Sequence, residues 1–176
     1  DDMALGVACL ISDDLSQVEV MAQQLHAMNL ERRSIEADMQ EAANIALDEV
    51  DVSNRFSLSM FEPDWHQGVI GILASRVKEQ YHRPVIAFAA AGDGTLKGSG
   101  RSIAGLHLRD ALDLVAKRRP GLILKFGGHA MAAGLTIAED NFSDFEEAFE
   151  DVAKSLLTVS DLDAVIEIDG HLAAHE

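Results

Sequence analysis

Two short stretches of the chain carry residue types that can hold a phosphate. The first is Gly127-Gly128-His129-Ala130-Met131-Ala132-Ala133-Gly134. Glycine tolerates positive φ and lets a ligand approach the backbone, so successive exposed N–H groups can form an anion nest. An imidazole directly after them can donate to a phosphate oxygen or exchange a proton near neutral pH. The small residues that follow would keep the pocket wall low. The same letters also fit a tight turn followed by a structural histidine. The second stretch is Lys97-Gly98-Ser99-Gly100-Arg101-Ser102. Arginine binds phosphate through two donors at once, serine adds another, and glycine is expected to remove steric cover. On an extended strand Lys97, Ser99 and Arg101 share one face, which aims two charges and a hydroxyl at one ligand. An edge strand kept soluble by its charges is the plainer alternative.

Further candidates are weaker. His66 lies beside Trp65 and Gly68 at an expected helix start, where backbone donors favour an anion; capping or packing is the competing use. Arg76 adds a cation ten residues on. His82 and His107 fall at helix boundaries and receive no role. Neither glycine-rich stretch meets the Walker or dinucleotide fingerprints. No His-x-Glu, Cys-x-x-Cys or His-Glu-x-x-His spacing occurs, and the acidic pairs Asp13-Asp14 and Glu146-Glu147 read as a cap and a solvated face. The reading is therefore that no metal is bound by these residues, which leaves them no obvious means of activating a water.

Charge marks the same region. From Glu62 to Leu135 ten Lys and Arg stand against six Asp and Glu, a net of +4; elsewhere four stand against 24, a net of −20, together giving −16 for the chain. The same segment holds 11 of the 13 glycines and all three prolines. Turns and positive charge thus coincide between acidic flanks, so an overall acidic composition does not exclude a phosphate-bearing partner. The single cysteine, Cys9, excludes an internal disulfide and is expected to be buried. No apolar run approaches the roughly 20 residues that cross a bilayer, and the first residues lack the segments of a signal peptide. A soluble, cytoplasmic protein without membrane contact is expected.

Positioning these residues requires alternating strands and helices. Gly6 to Ile11 reads as a buried strand, followed by cap chemistry at Ser12-Asp13-Asp14 and a Ser16/Glu19 capping box. Val18, Met21, Leu25, Met28, Ile35, Met39, Ala42 and Ala46 recur at helical spacing, which predicts one long amphipathic connector with a break near Asn29. Strands are expected at Phe56 to Met60, Pro84 to Phe88, Thr95 to Ser102, Leu122 to Phe126 and Ala133 to Ile137. Helices are expected at His66 to Tyr81, at Leu106 to Lys117 and after a cap at Asn141, the last with Phe142, Phe145, Phe149, Val152 and Leu156 on one face. Gly92-Asp93-Gly94 predicts a hairpin, and Ala164 to Gly170 a final strand. The fold class is α/β, a mixed sheet flanked by helices behind a long connector helix.

Four stretches, in order, resemble one family. Trp65-His66-Gln67-Gly68-Val69-Ile70-Gly71-Ile72-Leu73-Ala74-Ser75-Arg76, Arg83-Pro84-Val85-Ile86-Ala87-Phe88, Gly98-Ser99-Gly100-Arg101-Ser102 and Phe126 to Gly134 are similar to the domain that follows the catalytic domain of RecJ-type exonucleases, in the DHH phosphoesterase superfamily. The resemblance implies a division into the end of a DHH catalytic domain (1–14), a connector helix (15–52), a DHH-associated nucleic-acid-binding domain (53–158) and the start of an OB-type domain (159–176). It implies 5′-to-3′ degradation of single-stranded DNA with Mn²⁺ or Mg²⁺, the metal ligands lying upstream and this piece alone inactive. Ser99 and Arg101 match the family's 5′-phosphate contacts. Gly127, Gly128 and His129 match the turn facing the metal site, where His129 could assist. Lys97, Arg76 and His66 are added from charge and position. Two other functions fit the residues: a DHH phosphodiesterase acting on short oligonucleotides or cyclic dinucleotides, and a non-catalytic acidic module that binds a protein.

Overall fold

The computed structural model describes residues 2–48 and 52–164, in two compact units that divide at Val50. The first unit contains α1 (Asp2–Ile11) and α2 (Leu15–Asp48). The expected strand at Gly6 to Ile11 is thus helical. A short apolar run does not distinguish a strand from a helix by itself, and Ala4 and Leu5 before it are strong helix formers. Val7, Leu10 and Ile11 are exposed, which a buried strand would not allow. Cys9 is only half-buried. Asp14 caps α2, its carboxylate accepting from the N–H groups of Ser16 and Gln17 at 3.0 and 3.3 Å. Ser16 therefore sits inside the first turn and not at the cap. The helix runs 34 residues without a break at Asn29, and the apolar positions from Val18 to Ala42 are its less exposed ones.

The second unit is a five-stranded mixed sheet. Its strands are β1 (Leu58–Phe61), β2 (Val85–Ala90), β3 (Thr95–Arg101), β4 (Lys125–Gly128) and β5 (Ala132–Ala138), in the order β1-β2-β3-β5-β4. β1 and β2 are parallel and the other pairs antiparallel. Parallel neighbours need a crossover, which α3 (Ile70–Tyr81) supplies. β2 and β3 form the expected hairpin, with positive φ at Gly92 and Gly94.

The sheet has two unlike faces. On one, Ile86, Phe88, Leu96, Leu135 and Ile137 pack against α4 (Leu108–Arg118) and α5 (Phe142–Leu156), and Phe88 and Phe149 both contact the Phe145 ring. Gly98 and Gly100 belong to this face. A Cβ at Gly98 would come within 2.6 Å of Leu135 and Phe88, and one at Gly100 within 2.8 Å of Leu108. The glycines of the Lys97-to-Ser102 stretch therefore serve core packing and do not uncover a ligand. On the other face, α3 lies over β2 and β3, with Leu73, Ala74 and Val77 buried.

Boundaries shift for physical reasons. α3 starts at Ile70 and not at His66, because residues 63–69 form turns in which Val69 N–H bonds to His66 C=O. Leu122 and Ile123 are buried as loop residues before β4 begins. Asn141 precedes α5 without a side-chain cap, its place taken by a 3₁₀ turn over Glu139–Asn141. Leu156 is exposed, whereas Glu150 on the same helix is buried. Glu150 accepts from the N–H groups of Phe56 and Ser57 at 3.0 and 2.8 Å and from the Ser57 hydroxyl at 2.7 Å. Leu162 packs into the core, and Arg83 reaches both Arg55 C=O (2.8 Å) and Leu162 C=O (2.7 Å). The final strand expected at 164–170 lies outside the described residues.

Candidate functional site

Side chains at paired positions of neighbouring strands point to the same side of a sheet. On the α3 side this creates three rows. Val85, Arg101 and Ala132 form one, Ala87, Ser99, Gly134 and Gly127 the next, and Ala89, Lys97, Thr136 and Lys125 the third. α3 covers the β2 end of each row. Gly134, Gly127, Lys97 and Lys125, towards the β4 edge, are exposed.

Arg101 lies at the foot of α3. Its Nε donates to Ser75 Oγ at 3.1 Å, and its Nη1 to Ser99 Oγ at 3.3 Å and Gly100 C=O at 2.9 Å. Ser75 is itself oriented by donating to Gly71 C=O one helical turn back, at 3.1 Å. Gly71 leaves room for the guanidinium: a Cβ there would stand 3.1 Å from both Arg101 Nη2 and Ser99 Oγ. The result is a guanidinium fixed by neutral oxygens, without a carboxylate to neutralise it among the described residues, and with Nη2 still able to donate. The Ser99 hydroxyl accepts from Arg101, so its own proton is available to an anion. A half-buried arginine held this way is preorganised for a phosphate or carboxylate.

The glycine-histidine stretch is not the turn its sequence predicts. Gly127 and Gly128 end β4, and His129 to Met131 make the connection to β5. The connection is pinned by His129 N–H to Ala132 C=O (2.8 Å), Leu108 N–H to Ala130 C=O (2.8 Å) and Ser102 N–H to Met131 C=O (3.0 Å). His129 is exposed at the hairpin end, next to the row that contains Arg101. The two glycines differ. Gly127 points to the open face and a Cβ there would meet nothing within 4 Å. Gly128 has φ +149, and a Cβ would lie 2.5 Å from Ala132 O and Ala133 Cα.

Ser99, Arg101 and Gly127 are thus brought onto one face, with Lys97 two residues along β3 and His129 at one end. Arg76 and His66 engage other groups. Arg76 is exposed, pairs with Glu79 at 3.8 Å, and lies about 100° around the helix from Ser75. His66 uses Nδ1 to accept from Gly68 N–H at 3.1 Å, a turn-capping role. Gly71, Ser75 and Lys125 are the residues sequence reasoning missed. The four-residue spacing of Gly71 and Ser75 puts both on one side of a helix, but nothing in the sequence says that this side meets Arg101. Among the described residues no three His, Cys, Asp or Glu are grouped to hold a metal ion.

Residues 53–155 match the DHHA1 domain family. The chain belongs to the DHHA1 domain family. Over its whole length it is 54% identical to the single-stranded-DNA-specific exonuclease RecJ of Dickeya dadantii (strain 3937) and 50% identical to that of Escherichia coli (strain K12). In both cases the chain spans 31% of the relative's length. Its fold is similar to that of RecJ from Thermus thermophilus in complex with Mg²⁺, with a TM-score of 0.75 and 30% identity, over 86% of this chain and 23% of that one. The Gly71–Ser75–Arg101–Ser99 cluster lies inside the DHHA1 match, on the sheet face that α3 leaves half open.

Proposed function

We propose that this DHHA1 domain binds single-stranded DNA as part of a longer 5′-to-3′ exonuclease of recombination and repair, in which it clamps the strand's 5′ phosphate. In this reading Arg101 Nη2 and the Ser99 hydroxyl hold the terminal phosphate, with Ser75 and Gly71 fixing the arginine. Gly127 gives the strand a low floor, Gly128 shapes the hairpin, and His129 lines its open end and can donate to a second phosphate oxygen. Lys97 adds charge along the strand's path, one row beyond the terminal phosphate; Arg76 and His66 are peripheral contacts. The observation that carries the reading is the Arg101 guanidinium, ordered by three neutral oxygens beside an open, glycine-floored face.

The hydrolytic step belongs, in this proposal, to a DHH catalytic domain outside these residues that uses Mn²⁺ or Mg²⁺. The RecJ structures that the chain resembles are complexes with Mg²⁺ or Mn²⁺, which supports it. α2 serves as the connector between the domains. In this proposal a following OB-type domain starts within 159–176; Leu162 in that stretch packs into the core of the second unit. A cytoplasmic location goes with this reading; no described helix is long and apolar enough to cross a membrane.

The test is made in the longer enzyme. Arg101→Ala should abolish its preference for a 5′-phosphorylated over a 5′-hydroxyl end, while the purified 176-residue chain should leave labelled oligonucleotide intact in Mn²⁺. An unchanged end preference would remove Arg101 from the pocket, and cutting by the chain alone would overturn the division of labour. Loss of all salt-sensitive strand binding by both would favour a protein-interaction module instead.

A further inference from the structure

The third row of the open face is not used by the terminal-phosphate pocket. Lys97 Nζ donates to Thr136 Oγ1 at 3.2 Å, and Thr136 is paired in turn with Lys125 on β4. Both lysines are exposed, and neither makes an ion pair among the described residues. Asp93, a carboxylate that feels Lys97, is already bonded to the Thr95 hydroxyl and N–H; those bonds, with Lys97 as a smaller contribution, hold its pKa below the usual aspartate value. Two lysines therefore flank one threonine in a row of the sheet that is open towards β4.

Their spacing matches a strand that has already entered the pocket. Lys97 is two residues from Ser99 along β3, about 7 Å, and the Lys97 and Lys125 backbones are two strand spacings apart, about 10 Å. A phosphate over Thr136 can touch both ammonium groups. Towards β4 the row of Ser99, next to this one, continues only as Gly134 and Gly127, whose lack of side chains lets a sugar-phosphate backbone rest on the sheet. Glycine there costs strand stability, and no core contact asks for it: a Cβ at Gly127 meets nothing, and one at Gly134 only Gly98 O at 3.8 Å.

We propose that Lys97, Thr136 and Lys125 form a second phosphate subsite, which holds the backbone phosphate one nucleotide step from the phosphate at Ser99 and Arg101. This rests on the reading of that pocket as the terminal-phosphate site. The experiment is calorimetric titration of the 176-residue chain with thymidine 5′-monophosphate, with the 5′-phosphorylated dinucleotide pTpT and with a short oligo-dT, at several salt concentrations. The variants are K97Q/K125Q and, as a charge control on α4, R109Q/K117Q.

K97Q/K125Q should bind the mononucleotide as the wild type does, lose about tenfold in affinity for pTpT, and lower the oligo-dT salt slope by about 1.4, two contacts at roughly 0.7 each. R109Q/K117Q should change none of these. Three results would overturn the subsite: wild-type pTpT affinity in K97Q/K125Q, equal weakening of mononucleotide and dinucleotide, or an equal effect of the α4 control. Failure of the pocket itself is separate and shows as unchanged mononucleotide binding in R101A. A wild-type chain with no salt-sensitive binding of any of the three ligands would sink both.

Discussion

Arg101 Nε donates to Ser75 Oγ at 3.1 Å, so a strand residue is positioned by a serine on the helix that crosses over it. The contact works because Gly71, one turn earlier on α3, has no side chain. Gly71→Ala should therefore separate stability from binding. Alanine is the better helix former by up to about 1 kcal/mol, so the midpoint of urea unfolding should hold or rise. The new Cβ, 3.1 Å from Arg101 Nη2 and Ser99 Oγ, should displace the flexible guanidinium and weaken binding of a 5′-phosphorylated oligonucleotide several-fold. A fall in stability with unchanged binding would contradict this.

The adjacent glycines of β4 should respond in opposite ways. Gly128→Ala forces an L side chain into φ +149 and into the backbone of Ala132 and Ala133. Strain of this kind costs about 1–3 kcal/mol before any clash is relieved, so the urea midpoint should fall clearly. Gly127→Ala meets nothing within 4 Å and should hold or raise the midpoint, since glycine weakens a strand, while raising the floor beneath a bound strand. Circular dichroism during denaturation, beside a binding titration, separates the two.

Glu150 should make the second unit acid-sensitive. Burial pushes its carboxyl pKa up, but the Phe56 N–H, the Ser57 hydroxyl and N–H, and Lys154 together outweigh burial and hold it below the usual glutamate value. A carboxylate with a depressed folded-state pKa contributes stability that is complete above its unfolded pKa and is lost as pH falls through the folded one. The wild-type unfolding midpoint should therefore drop below about pH 4.3. Glu150→Ala leaves two backbone donors unpaired and should cost at least about 2 kcal/mol at neutral pH. The acid-induced drop should shrink in that variant; the same drop in both proteins would remove Glu150 as its source.

The architecture was legible wherever period and punctuation agreed. The long α2 stripe, the Gly92-Asp93-Gly94 hairpin and the Lys97/Ser99/Arg101 alternation all appear in the structure as the sequence predicts. Gly6 to Ile11 failed because an apolar run of that length fits either element. Gly127-Gly128 misled because two glycines read as a turn, while here one is demanded by a close strand neighbour and the other sits on an open face. In the sequence Gly98 and Gly100 look like space for a ligand, yet they face Phe88, Leu135 and Leu108. Ser75, Lys125 and Glu150 could not be found from local pattern. Each gains its role from a partner distant in sequence: Arg101, the Thr136–Lys97 pair, and Phe56 with Ser57.

Recognition of a terminal phosphate by Arg101 is tested most directly by calorimetric titration of the 176-residue chain, wild type and Arg101→Ala. The ligand is one oligonucleotide carrying either a 5′ phosphate or a 5′ hydroxyl. The wild type should bind the phosphorylated strand more tightly, by about tenfold or more for a charge-assisted contact from Nη2, and Arg101→Ala should bind the two strands alike. Equal wild-type affinity for both ends, or an intact preference in Arg101→Ala, would contradict that role.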